Sequence, residues 1–153
     1  MNAQKAEKIL SWLFRLNAFL LTLAFLTMLM PNEWMNWCHE KLGLGSQAIF
    51  RVAGQQAGQV NPIAEYLARS CSMLYGIHGL VLLIVAFNLR KYWQVVPLLI
   101  GLHVALGAMV LLIDLKVGMP WYWAAAEGPG IMAFAAILFW LYKKADTQSL
   151  AAD

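Results

Sequence analysis

Four long runs of apolar residues, separated by short polar segments, form the main pattern along this chain. They cover about 9–30, 62–87, 92–115 and 120–143. A helix rises 1.5 Å per residue, so about 20 apolar residues are enough to cross the hydrocarbon core of a bilayer. The pattern predicts an all-α protein, a four-helix transmembrane bundle in which residues 1–153 form a single integral membrane domain.

The longest connection, residues 31–61, separates the first two runs. Within residues 33–43, Trp34, Trp37 and Lys41 recur at helical spacing. This spacing predicts a short interfacial helix in the first outer loop, with a solvent-facing turn as the alternative. The remainder of the connection is rich in Gly and Gln and is expected to be a loop.

The distribution of lysine and arginine predicts the orientation of the spans. In a four-span arrangement one side of the membrane holds Lys5, Lys8, Arg15, Arg90, Lys91, Lys143 and Lys144, and the other holds Lys41, Arg51 and Lys116. Because basic residues are enriched on the cytoplasmic side, we expect a multi-pass protein with cytoplasmic N- and C-termini. The polar tail, 145–153, is expected to be disordered.

Composition narrows the class of partner. Hydrophobic residues make up 61% of the chain and charged residues 12%, against about 25% charged residues in soluble proteins. The net charge of +3 comes from basic residues scattered at the span ends, so we expect the lipid bilayer and no nucleic acid as partner. Cys38 is predicted outside the membrane and Cys71 within a span, which excludes a bond between them, and no spacing is typical of a metal site.

Two charged residues are predicted to pair inside the membrane. A charged side chain at the membrane centre costs about 2.5–3.5 kcal/mol on insertion scales, so it persists where another group of the protein pairs with it. Counting residues from the predicted outer edge places Arg69 and Glu127 at the same depth, about 10 Å. We therefore predict an intramembrane ion pair between them, whose role is either functional or limited to fixing helix register.

Small and polar residues share one face of each of the last three spans at helical periodicity. On the second span the face consists of Glu65, Arg69, Ser72, Gly76 and Gly79. On the third span it consists of His103, Gly107, Val110 and Asp114, and on the fourth of Trp123, Glu127, Gly130 and Phe134. The simplest packing turns the three faces inward and forms an outer-leaflet polar pocket for a small amphipathic molecule or a lipid group. Its candidate residues are Glu65, Arg69, Ser72, Asp114, Trp123 and Glu127.

Two local features predict how the last two spans pack. In the EGPG sequence at 127–130, Pro129 lacks an N–H and clashes with the preceding turn, which predicts a bend that is either part of the polar site or a packing kink. In the third span, Gly101, Ala105 and Ala108 predict a surface for close helix approach.

Two histidines lie deeper in the predicted spans. His78 and His103 are on adjacent antiparallel helices, within about 6 Å of each other in depth. A pair of histidines is the minimum requirement for haem b with two histidine ligands, and Tyr75 lies near the same depth, where a quinone is a further candidate. The alternative is that each histidine hydrogen-bonds a neighbouring helix, and His78 points about 120° away from the face that carries Arg69.

Three sequence segments carry a resemblance to known proteins. They are LGLG at 42–45, E-Y-L-A-R-S-x-S-x-L-Y-G-x-H at 65–78 and GMPWYW at 118–123. The chain resembles a group of small four-helix bacterial inner-membrane proteins and, more distantly, the DoxX-like superfamily. The resemblance implies a four-helix bundle in the bacterial cytoplasmic membrane, in some cases as an accessory subunit of a redox or detoxification system. It implies no catalytic residues.

No nucleophile elbow, phosphate-binding loop, HExxH sequence or carboxylate-rich metal motif is recognisable in the sequence. We therefore expect a non-enzymatic or accessory membrane protein with a ligand pocket in its outer leaflet. One alternative is a membrane redox protein that binds haem b or a quinone. Another is a structural subunit of a larger membrane complex, in which a membrane-protein partner or a second copy covers the exposed helix faces.

Overall fold

The computed structural model describes residues 1–26, 29–43 and 62–146, and these residues form helices and turns without a strand. The helices are α1 (Ala3–Leu26), α2 (Asn32–Lys41), α3 (Pro62–Phe87), α4 (Val96–Val117) and α5 (Trp121–Asp146), and a 3₁₀ turn at Trp93–Val95 precedes α4. The prediction of an all-α protein is confirmed.

Three segments of the described chain are long and apolar enough to cross a membrane: Tyr66–Phe87, Trp93–Val117 and Trp121–Asp146. They correspond to the last three predicted spans. α1 is not among them, so a fourth span stays a prediction. The structure contains α2 where a short helix is predicted, and its interfacial position likewise stays a prediction.

The first helix extends beyond its apolar run. α1 begins at Ala3 rather than at the predicted start of the run, and the side chain of Asn2 accepts a hydrogen bond from the Lys5 N–H at 2.9 Å. Gln, Lys and Glu are good helix formers, so the polar residues before the run continue the helix. Hydropathy locates an apolar run and not the end of a helix.

The last helix also passes its predicted end and includes the first residues of the predicted disordered tail. α5 continues to Asp146, whose carboxylate accepts a hydrogen bond from Trp93 Nε1 at 3.0 Å. Ala145 is buried. Residues 147–153 and the predicted loop at 44–60 lie outside the described residues.

The chain divides into two compact units, one of residues 1–16 with 84–153 and the other of residues 17–83. In the second unit, α1 and α3 approach closely at two glycines of α3. A Cβ atom added to Gly79 would lie 2.8 Å from the backbone oxygen of Ala18, and one added to Gly76 would lie 3.0 Å from the side chain of Phe25. The small face predicted for this span therefore packs, at these glycines, against α1.

In the first unit, α1 presents a buried face formed by Ala3, Ala6, Leu10 and Phe14. Their spacing of three and four residues is that of one helix face. Ser11 Oγ donates a hydrogen bond to the Ala86 carbonyl at 2.8 Å, which ties the start of α1 to the end of α3.

The contact between α4 and α5 depends on two glycines that face each other. A Cβ atom on Gly107 would lie 2.7 Å from the Gly128 oxygen, and one on Gly128 would lie 2.6 Å from the Gly107 oxygen. The close approach is thus made by Gly107, while the predicted Gly101 has no atom within 4 Å of its Cβ position. α5 continues as a helix through Pro129.

The substitution Gly128→Ala should lower the free energy of unfolding by about 1–3 kcal/mol, because the added methyl group overlaps backbone atoms of α4 that cannot move independently. Gly130→Ala is the matched control, since a Cβ at Gly130 meets no atom within 4 Å; alanine there should be neutral or stabilising. Reversible unfolding in mixed micelles measures both variants. Equal stability of the two would contradict the close contact.

Candidate functional site

The turn between α4 and α5 determines where the predicted pocket residues of these helices lie. Gly118 ends α4 in the left-handed region with φ of 71°, and the Met119 N–H donates to the Asp114 carbonyl at 2.9 Å. A residue with a side chain is strained at this φ, so glycine permits the short reversal into α5. Together with the Gly107–Gly128 contact, the turn brings the end of α4 beside the first turns of α5.

Asp114 is the most unusual polar residue of this site. Its side chain is 6% exposed, and among the described residues its Oδ2 atom has no hydrogen-bond partner. A buried carboxylate without partners is costly, because burial removes water that nothing replaces. Asp114 therefore requires a proton, a cation or a hydrogen-bond donor.

Glu127 lies on α5 within electrostatic range of Asp114. Its Oε2 atom accepts a hydrogen bond of 2.5 Å from the Trp123 indole Nε1, one helical turn earlier. The structure thus brings together three predicted pocket residues, Asp114, Trp123 and Glu127. The indole N–H of Trp123 partly satisfies the carboxylate of Glu127, whereas Oδ2 of Asp114 has no donor among the described residues.

Two neighbouring carboxylates in a poorly solvated place repel each other unless a positive charge or a shared proton lies between them. The arrangement can therefore bind a cationic or hydrogen-bond-donating group. The described residues contain no group of three or more His, Cys, Asp or Glu that could hold a metal ion.

The remaining predicted pocket residues belong to α3. Ser72 Oγ donates to the Ala68 carbonyl of its own helix at 2.9 Å, and Arg69 is half-buried. The side chain of Glu65 lies outside the described residues. Arg69 belongs to the unit of residues 17–83 and Glu127 to the other unit, so the ion pair between them stays a prediction.

His103 is buried on the predicted inward face of α4, 5% exposed. Its Nδ1 atom lies 2.8 Å from the Leu99 carbonyl, and because a carbonyl only accepts, Nδ1 carries the hydrogen. His78 is half-buried and Tyr75 exposed, both in the other unit. A haem b or quinone site at these three residues stays a prediction.

The sequence pattern did not predict an ion pair in the turn that precedes α4, because Arg90 was interpreted only as a charge that sets the topology. Arg90 Nε and Nη2 donate to the two carboxylate oxygens of Glu7, at 2.7 and 2.5 Å. These hydrogen bonds are the main reason that the pKa of Arg90 is raised, although partial burial acts in the opposite direction. Glu7 is the only acidic residue before the first apolar run, which is the signal that could have indicated it.

Comparison of the chain with protein-family models, curated proteins and solved structures found no match. The DoxX-like resemblance therefore stays a prediction.

Replacing Trp123 with Phe should lower the free energy of unfolding by about 1–3 kcal/mol, because it keeps the ring but removes the donor to a carboxylate. Trp121→Phe is the control: Trp121 is 81% exposed, so its replacement should change stability by less than about 0.5 kcal/mol. Chemical unfolding followed by circular dichroism measures both. Equal effects of the two substitutions would mean that the Trp123–Glu127 bond does not contribute.

Proposed function

We propose that this chain is a small four-span protein of the bacterial inner membrane, non-enzymatic or accessory to other proteins. In this arrangement its outer-leaflet pocket binds the cationic or hydrogen-bond-donating head of an amphipathic molecule. Asp114 and Glu127 are the acceptors of the pocket, and Trp123 orients Glu127. The observation that carries the proposal is the buried Asp114 Oδ2 atom, which has no hydrogen-bond partner among the described residues and lies within electrostatic range of a second carboxylate.

The fourth span in this proposal is α1. From Ile9 to Leu26 it carries one charged side chain, Arg15, and it is long enough to cross the hydrocarbon core. Four spans put both termini on the side that holds most basic residues, which is the cytoplasmic side by the positive-inside rule.

In the same arrangement α2 lies at the outer interface. Trp34 and Trp37 are exposed, and Lys41 Nζ lies 5.9 Å from the centroid of the Trp37 ring. Exposed tryptophans beside a lysine are typical of helices at the level of lipid headgroups. This position would put α2 on the same side of the membrane as the proposed pocket.

The chemistry of the pocket indicates the class of ligand. One indole N–H serves Glu127, so the carboxylate pair needs further donors or positive charge. We propose that the head of the ligand supplies them. An alkyl amine has a suitable head, which can donate several hydrogen bonds, and a tail that the bilayer accepts.

Dodecylamine should bind the purified protein in nanodiscs and raise its unfolding temperature, since a ligand of the folded state stabilises it by mass action. Asp114→Asn keeps the size of the side chain and removes its charge, and it should weaken binding by about tenfold or more, equivalent to about 1.4 kcal/mol. Glu40→Gln is the control. This substitution also removes one negative charge, but from an exposed residue of α2 outside the proposed pocket.

Dodecanoate, which carries the opposite charge on the same tail, should not bind. Equal binding of dodecylamine to the parent and to Asp114→Asn, or equal binding of dodecanoate, would contradict the proposed pocket. The helix content of each variant should be recorded first, so that loss of binding is not confused with loss of folding.

Cys38 provides a test of the orientation. A membrane-impermeant maleimide added to intact cells should label Cys38 from outside, whereas Cys71 lies within a span and should react slowly. Cys38→Ser should abolish the rapid labelling, and Cys71→Ser should leave it unchanged. Labelling of Cys38 only after the cells are broken would reverse the proposed topology.

A further inference from the structure

A groove lies where the start of α1 meets the turn between α3 and α4, within a single compact unit. It encloses a volume of about 770 Å³, within the usual range for small-molecule sites. Its polar lining includes Lys5, Lys8, Ser11, Arg15, Asn88 and Arg90. None of these residues belongs to the carboxylate pair near the other end of α4.

The groove carries an excess of positive charge. Arg90 is neutralised by Glu7, to which it donates two hydrogen bonds. Lys5, Lys8 and Arg15 have no acidic partner among the described residues. Three cations thus share a concave surface that provides no counter-ion of its own.

Arg15 is the residue of the groove with an unsatisfied buried donor. Its Nε atom is buried and has no hydrogen-bond partner in the part of the chain that the structure describes. Its guanidinium carbon lies 4.5 Å from the centroid of the Phe87 ring, which holds the group in place without satisfying its donors. A guanidinium presents its donors in a planar arrangement that matches the oxygens of a phosphate. An anion bound in the groove would therefore accept the hydrogen bond that Arg15 Nε does not make within the described chain.

The groove is also flanked by apolar surface. Trp12 and Phe87 line it and are 62% and 61% exposed. A free inorganic anion buries no apolar surface of these rings, whereas the glycerol backbone and first acyl carbons of a lipid would cover them. The combination of cations and exposed aromatic rings fits an amphipathic anion better than a soluble one.

We propose that this groove binds the phosphate headgroup of an anionic phospholipid. In the proposed topology it lies at the cytoplasmic surface, where basic pockets between transmembrane helices are known to hold anionic headgroups. Lys8 and Arg15 contact the phosphate, Lys5 contributes long-range attraction, and the Glu7–Arg90 pair holds the wall of the groove. This inference depends on the proposed membrane topology but not on the carboxylate pocket.

Binding of dioleoylphosphatidylglycerol to the detergent-purified full chain, measured by native mass spectrometry, tests the proposal. We expect phosphatidylglycerol to bind at least tenfold more tightly than dioleoylphosphatidylcholine. A basic residue near anionic lipid is worth about 1 kcal/mol, or about fivefold in affinity. The double variant Lys8→Gln/Arg15→Gln should therefore bind phosphatidylglycerol about 25-fold more weakly.

Lys91→Gln/Lys144→Gln is the matched control. It removes two positive charges on the same predicted side of the membrane, from exposed residues that do not line the groove. It should change the affinity by less than about twofold. Arg15→Lys, which keeps the charge, should retain more of the affinity than Arg15→Gln and should show that loss of binding is not loss of folding.

Three outcomes would overturn the proposal. If the control variant weakens binding equally, diffuse surface charge attracts the lipid. If phosphatidylcholine binds as tightly as phosphatidylglycerol, the groove does not distinguish the charge of the headgroup. Displacement of the lipid by inorganic phosphate at equal concentration would identify a site for a soluble anion. The Cys38 labelling assay on the same protein separates these outcomes from a failure of the topology, and the dodecylamine assay separates them from a failure of the pocket.

Discussion

The backbone contact between Gly107 and Gly128 is the constraint on which the arrangement of α4 and α5 depends. Each glycine occupies the space that a Cβ atom would need on the other helix, so the two helices meet at one register. Between helices in lipid the hydrophobic effect contributes little, and close van der Waals packing through small residues takes its place. The register determines which side chains near the following turn approach each other, and it brings Asp114 within electrostatic range of Glu127.

Two polar atoms are buried without hydrogen-bond partners among the described residues, and we propose a ligand for each. Asp114 Oδ2 lies near the end of α4, and Arg15 Nε lies near the turn that precedes α4. At 1.5 Å per residue the helix between these regions is about 33 Å long, close to the thickness of a bilayer core. The proposed acidic pocket and the proposed basic groove would therefore serve opposite surfaces of one membrane, each selecting a head of opposite charge.

The Glu7–Arg90 ion pair holds together the two segments that form the basic groove, the start of α1 and the turn after α3. Exposed ion pairs contribute little to stability, commonly less than about 1 kcal/mol, and the guanidinium of this pair is largely exposed. Its effect is local, because it holds the polar start of α1 against the turn after α3. Within the described part of the chain, the same pairing leaves Lys5, Lys8 and Arg15 as the charges of the groove that have no acidic partner.

Much of the fold and part of the site could be predicted from the sequence. The apolar runs identified the helices, because a spanning helix needs about 20 apolar residues whatever its neighbours are. Periodicity also predicted that His103, Gly107 and Asp114 share the inward face of α4, and all three are buried. On α5, periodicity predicted an inward face that contains Trp123, Glu127 and Phe134. The buried face lies one residue further along the helix and contains Ala124, Gly128 and Ala135.

The reason for that difference is physical. A helix that is apolar all round has no polar face to show which side packs, so periodicity has little contrast to use. Only the tertiary structure could decide the Gly107–Gly128 register, the pairing of Glu7 with Arg90 and the burial of Asp114 without a donor, since each requires groups far apart in sequence. The chain by itself determined that it forms long apolar helices with charges at their ends, and packing decided which of those charges are left without a partner.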